Sequence, residues 1–254
     1  MPSSNYINRI RSFYGNNLIK LHSLDEVAGV SNFIDFSKFA SNNSYINAED
    51  SAYHRTAKTP DGRLVISTDQ ASNFKGGLYT TAFQSNFSSA KGAFLAMLKE
   101  DDWSSAYNSE SYLTIRRNPT TTMERVLFYK SSTTPGALVF RHTSSSADII
   151  KSITPGEHGS PSGFFWTACN WDSAGSGSLQ PYFRALGGSV VKATAQTGVT
   201  TWSVTGALSD IYCCIGGQLV TGLQLNNWEG QIGLMAIWSG INLTDNDVEI
   251  MTKI

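Results

Sequence analysis

Short apolar stretches alternate with turns rich in Gly, Pro, Ser and Asn along most of this chain, and their period is that of strands. Residues 63–68 alternate apolar with polar side chains, 76–83 form another such stretch, and 92–99 are almost wholly apolar, as a core strand would be. Strands are also predicted over 111–116, 125–129 and 137–142, divided by Asn118-Pro119 and Thr134-Pro135-Gly136. Residues 154–163 read as loop; 164–171 then run toward a hairpin tip at 172–178, from which 179–188 return. Near the end, 231–238 are almost entirely apolar between Gly230 and Gly240, which suits a strand covered on both faces. Many short strands at regular spacing predict an all-β protein, a two-sheet antiparallel sandwich.

The two ends depart from this period. Tyr6, Ile7, Ile10, Phe13 and Tyr14 fall at helical spacing after Ser3 and Ser4, and Gly15 is a good stop, so a short amphipathic helix is expected. Its apolar stripe has two readings: an arm that docks on another subunit, or a segment packed on its own sandwich. At the other end Thr244 caps a short helical turn, with Asp247 completing a capping box. The expected division is an arm over 1–17 and one sandwich domain over 18–254.

The terminal motifs carry a resemblance. Ile215-Gly216, then Trp228-Glu229-Gly230-Gln231-Ile232, Ile237-Trp238-Ser239, Leu243-Thr244 and Glu249-Ile250 follow the order and spacing that closes concanavalin A-like sandwiches of the laminin G-like and pentraxin-like kind. The N-terminal counterpart is echoed by residues 21–29 and by Asp35-Phe36-Ser37. The resemblance covers nearly the whole chain and implies a concanavalin A-like jelly roll, the last strand beside the first. Such domains are frequent in bacteriophage particles. A non-enzymatic virion protein, a capsid decoration or tail component assembled in the host cytoplasm, is therefore the expected function. Other virion proteins, or further copies of the chain in a homo-oligomer such as a trimer, would be its partners. A lectin or adhesin module that binds a cell-surface glycan, and a divergent glycoside hydrolase, are the alternatives.

Composition narrows the chemistry. Nineteen basic against 20 acidic residues give a formal charge of −1, which argues against nucleic-acid binding by phosphate neutralisation and against steering to an anionic membrane. Charged residues make up only 15%, so the surface is built largely from Ser, Thr, Asn and Gly. Three cysteines, two of them adjacent, form no disulfide framework; a reducing compartment is expected, and no secretory signal is visible.

Sugar contact needs an aromatic face beside amide or carboxylate groups, and two clusters offer both: Trp103 with Tyr107 and Asn108, and Trp171 with Asn170 and Asp172. Trp166, Trp202, Trp228 and Trp238 fit strand patterns and are expected in the core. Asp172 with Asn170 is also the best-placed calcium candidate, although no motif supports one, and no metal or other cofactor is expected. Related glucanases carry Glu-x-Asp-x-x-Glu on one strand; here Glu100 and Asp102 are followed by Ser105, so a second catalytic carboxyl is missing. Glu100, Asp101 and Asp102 read instead as a solvated turn.

Overall fold

The computed structural model describes residues 4–22, 32–33, 35–37, 43–44, 59–60, 65–68, 85–104, 110–117, 124–202, 211–220, 223–225 and 228–253. An N-terminal helix (Ser4–Ser12) leads into β1 (Leu18–His22), followed by the short strands β2 (Asn32–Phe33), β3 (Asn43–Ser44) and β4 (Ile66–Thr68). The expected strand over 76–83 lies outside the described residues. The long strands begin with β5 (Lys91–Glu100), β6 (Glu110–Arg117), β7 (Arg125–Lys130), β8 (Leu138–Thr143) and β9 (Asp148–Ile153). A four-residue helix (Pro155–His158) precedes β10 (Phe165–Asp172), β11 (Ser178–Ala185), β12 (Val191–Lys192) and β13 (Gln196–Thr197). Then come β14 (Ile211–Ile215), β15 (Gln218–Val220), β16 (Leu223–Leu225), β17 (Gly230–Ser239) and a C-terminal helix (Asp245–Thr252).

These strands build the expected antiparallel sandwich. The first sheet has eight strands in the order β1-β17-β5-β10-β11-β12, with β4 on β17 and β13 on β11; the second has five, β14-β6-β7-β8-β9. The last strand lies beside the first, with Leu18 opposite Trp238 and His22 opposite Met235.

Two apolar layers follow from strand alternation. In β5, Phe94, Ala96 and Leu98 face the core between the sheets, while Ala93, Leu95 and Met97 face a second core on the far side of the first sheet. β17 does the same, but Ile232, Met235 and Ile237 share one face although their numbers differ in parity. The cause is a register shift between Ile232 and Leu234, a bulge that turns the strand by one residue. Gly233 sits in it, where a Cβ would stand 2.7 Å from Thr59 Cγ2. Trp166, Trp202, Trp228 and Trp238 are all core residues, at most 4% exposed.

The second core is closed by the two terminal helices. Tyr6, Ile7 and Ile10 are buried on the chain's own first sheet, Phe13 packs beside them, and the Tyr6 ring lies 5.6 Å from that of Trp166. Trp238 Nε1 donates to the Phe13 carbonyl at 2.9 Å, and Tyr14, 40% exposed, donates to Asp247 at 2.9 Å. Arg9 donates to the carbonyls of Ile250 and Lys253, which ties the two helices together. The docking arm is thereby corrected: nine residues of helix are too few to stand alone, and their stripe is consumed by the sandwich beneath. At the C-terminal helix the capping box is present, Asp247 N donating to Thr244 Oγ1 at 3.1 Å and Thr244 N to the Asp247 carboxylate at 2.7 Å.

Ile10 is fully buried. Ile10→Ala is expected to lower stability by about 2–4 kcal/mol in urea unfolding without changing the molecular mass in solution. An unchanged unfolding midpoint with a changed mass would restore the docking arm.

Candidate functional site

The structure takes apart the second of the expected sugar clusters. Trp171 is fully buried between the sheets, its Nε1 donating to the Ser88 carbonyl at 3.1 Å and its ring against Gly92, so it has no face left for a ligand. Asn170 is spent on the backbone, accepting from Leu243 N at 3.0 Å and donating to Leu243 O at 2.8 Å. Asp172 meets the Lys91 ammonium at 2.9 Å and accepts from Asn242 and from the Ala174 N–H, each at 2.9 Å. An ammonium thus stands where a calcium site would need further oxygens. These residues hold the β10–β11 hairpin to the approach of the C-terminal helix.

Trp103 is half-buried, with Nε1 donating to the Pro161 carbonyl at 2.9 Å and the ring packed 4.5 Å from His158 and 5.4 Å from Phe165. Tyr107 and Asn108 lie outside the described residues. His158 itself is buried, its Nε2 2.8 Å from the Gly136 carbonyl and its Nδ1 accepting from Ser160 N, so its apolar surroundings hold its pKa below the usual histidine value. Among the described residues no three His, Cys, Asp or Glu side chains come together as a metal site.

A different surface brings chemistry together. On the second sheet Val126 and Phe128 of β7 and Phe140 of β8 face the shared core, which puts Arg125, Leu127, Tyr129, Val139, Arg141 and Thr143 on the opposite face. Across the strands Arg116 stands opposite Arg125, Arg125 opposite Thr143, and Arg141 between Leu127 and Ile150. The strip grades from closed to open, from Arg116 at 2% exposed to Ile150 at 43%.

Among the described residues its charge is unbalanced around Arg125. Asp148 is taken by Arg141 in a two-pronged pair, Nε to Oδ1 at 2.7 Å and Nη2 to Oδ2 at 2.5 Å, and also accepts from Thr143 Oγ1 at 2.8 Å. Arg125 Nε is buried with no hydrogen-bond partner. Burial, then the neighbouring Arg141 and Arg116 charges, push the Arg125 pKa down to about 10 against the pull of Asp148, so the group stays cationic at neutral pH. Tyr129, raised by burial, shares a hydrogen bond with Arg141 and adds an aromatic ring to the strip. The strip thus offers a guanidinium short of acceptors, with a ring at Tyr129 and an exposed Ile150 farther along it beside Arg141, for an anionic group and the apolar side of its carrier. The reading of 111–116, 125–129 and 137–142 as strands contained the three arginines and Tyr129 but not Thr143 or Ile150. What it lacked was the register that lines them up, although alternation in Arg-Val-Leu-Phe-Tyr was the available signal.

Glu100 is neither a nucleophile in a cleft nor part of a solvated turn. It is 2% exposed, and Lys130 Nζ lies 2.8 Å from its carboxylate, 2.9 Å from that of Glu110 and 2.5 Å from the Asp102 carbonyl. Glu100 also accepts from Asp102 N at 3.0 Å, and Glu110 from Glu229 N at 3.2 Å. One buried ammonium therefore fastens the end of β5, the start of β6 and the approach to β17. Two carboxyls to one cation leave a surplus negative charge, and burial raises Glu100 to about 8 and Glu110 to about 7 despite Lys130. The two Glu carboxylates raise the Lys130 pKa against its own burial.

No protein-family profile matches the chain, and no curated protein sequence does. Solved structures do. The carbohydrate-binding module CBM40 of a Ruminococcus gnavus intramolecular trans-sialidase, bound to α2,3-sialyllactose, aligns at a TM-score of 0.52 with 14% identity over 74% of this chain and 96% of its own. The chain shares the jelly-roll β-sandwich of that module. The NanB sialidase of Streptococcus pneumoniae aligns at a TM-score of 0.51 and 11% identity, covering 72% of this chain and 27% of the sialidase chain. Botulinum neurotoxin type C, whose cell entry depends on interaction with two ganglioside molecules, aligns at 0.54 and 10% identity over 95% of this chain and 52% of its own. The chain thus spans about half of the toxin chain and a quarter of the sialidase.

The Lys130 cluster fixes a pH dependence. Glu100 and Glu110 titrate at about 8 and 7 in the folded chain against 4.5 ordinarily, so the folded state holds protons that the unfolded state has released. Their contribution is full below about pH 4.5 and is lost as pH rises through 7 to 8. Glu110→Gln removes the surplus charge, and the fall in unfolding free energy between pH 5 and 8 should shrink by ~1–3 kcal/mol. Parallel pH profiles for the two proteins would contradict this assignment.

Proposed function

We propose that this protein is a glycan-binding module of lectin type, and that the arginine strip on the outer face of its second sheet receives an acidic sugar. The observation that carries the reading is Arg125, a desolvated cation with an unpartnered Nε, repelled by two neighbouring guanidiniums and attracted by one carboxylate already engaged elsewhere. A carboxylate arriving there supplies acceptors that the protein does not, and Tyr129 and Ile150 offer surface for the sugar ring. The fold shared with a sialyllactose-binding module over nearly that module's full length supports the choice of a sialylated oligosaccharide as first ligand. The expected lectin alternative thus takes precedence over the virion role. Nothing in this reading requires a virion: such a module works equally on a particle, a secreted protein or a larger enzyme.

Sialyllactose is expected to bind, and lactose, which lacks the carboxylate, to bind at least tenfold more weakly by titration calorimetry. A charge-assisted hydrogen bond is worth about 1.5–3 kcal/mol, so Arg125→Ala and Arg141→Ala should each cost roughly tenfold or more in affinity, and added salt should weaken binding. Equal affinity for both sugars, or two variants that bind like the parent, would rule the site out.

A further inference from the structure

We propose that a groove on the opposite side of the sandwich, between β12 and the C-terminal helix, is a second saccharide subsite, selective for neutral sugars. It is a depression of about 330 Å³ lined by Tyr182, Val190, Lys192, Asp245, Asn246 and Glu249. Small-molecule sites run from roughly 300 to 1,000 Å³, so its size suits one sugar ring with part of a neighbour. Tyr182 and Val190 border the core beneath the first sheet and give the groove an apolar floor, while Lys192, Asp245, Asn246 and Glu249 supply polar walls.

Charge balance separates this groove from the arginine strip. Lys192 Nζ lies 2.8 and 2.9 Å from the two Asp245 oxygens, and Arg184 Nη2 lies 3.1 Å from Glu249 Oε1, so each carboxylate already has its own cation. Tyr182 donates to Asp245 at 2.9 Å, and the Lys192 ammonium stands 5.8 Å from the centre of the Tyr182 ring. An incoming anion would have to displace one of these carboxylates and gains nothing by it. A hydroxyl, in contrast, donates to a lone pair left on Asp245 or Glu249 and accepts from Asn246 without disturbing either pair. Lys192 keeps Asp245 ionised and below the usual carboxylate range, and together with Tyr182 fixes its orientation before any ligand arrives. Asp245, Asn246 and Glu249 come from a single helix whose start is held by the Thr244 capping box, so the polar wall is rigid.

The choice of a sugar as ligand rests on the glycan-binding reading, whereas the neutral specificity rests on the groove itself. Saturation-transfer NMR with lactose, maltose and cellobiose tests it on the full chain, on Arg125→Ala and on the pair Asn246→Ala and Lys192→Ala, with near-ultraviolet circular dichroism to verify folding. At least one neutral disaccharide should receive saturation from the parent and from Arg125→Ala, with about tenfold weaker affinity in the folded groove variants. Absence of transfer to all three sugars, undiminished transfer in the folded groove variants, or loss in Arg125→Ala would overturn the proposal. Because Arg125→Ala disables only the strip, failure of the acidic site and failure of the groove give different patterns.

Discussion

β5 and β17 run side by side in the middle of the first sheet, each with apolar side chains on both faces, and such a pair is stable only when both faces are covered. The rest of the architecture meets that demand. The second sheet covers one face, and the two terminal helices with their buried Tyr6, Ile7, Ile10, Val248 and Met251 cover the other. The bulge at Gly233 lets β17 serve both cores while it keeps its pairing to β5. The open surfaces proposed for ligands lie outside these two cores: the Arg125, Tyr129, Arg141 and Ile150 end of the second sheet's outer face, and the rim where the C-terminal helix meets β12.

Polar groups inside this frame hold connections in place. Asn170 imitates a backbone strand to fix Leu243, and Lys130 binds two carboxylates and a carbonyl where β5, β6 and β17 meet. Burial of charged groups is costly, and here it outweighs the one cation that the two acids share, so both acids shift toward their neutral forms. Residues that a sequence reading naturally nominates for chemistry, Glu100, Asn170 and Trp171, are the ones most deeply committed to holding the fold.

The features legible in the sequence were those written in local pattern: the run that becomes β17, its place beside β1, the hairpin tip before β11, and the Thr244–Asp247 capping box. β9 escaped because it is an edge strand, whose Asp148 and Lys151 interrupt the apolar run and whose burial is mixed. The helix Pro155–His158 is a single turn among Gly and Pro residues and reads as the loop around it. The arginine strip was invisible for another reason: Arg116, Arg125 and Arg141 are ordinary surface residues until cross-strand register aligns them. Lys130 likewise lies 30 residues from Glu100 in sequence, so only the fold reveals why the glutamate is there.

The two proposed subsites lie on opposite sides of the sandwich and differ in charge, one with a cation in want of acceptors and one internally balanced. An acidic glycan is proposed for the second sheet's outer face. A two-dimensional amide NMR titration with sialyllactose tests that most directly, because it locates binding without assuming which residue matters. Shifts are expected to concentrate on β7, β8 and β9, centred on Arg125 and Arg141. Shifts confined to the first sheet and its helices, or none at saturating sugar, would contradict it.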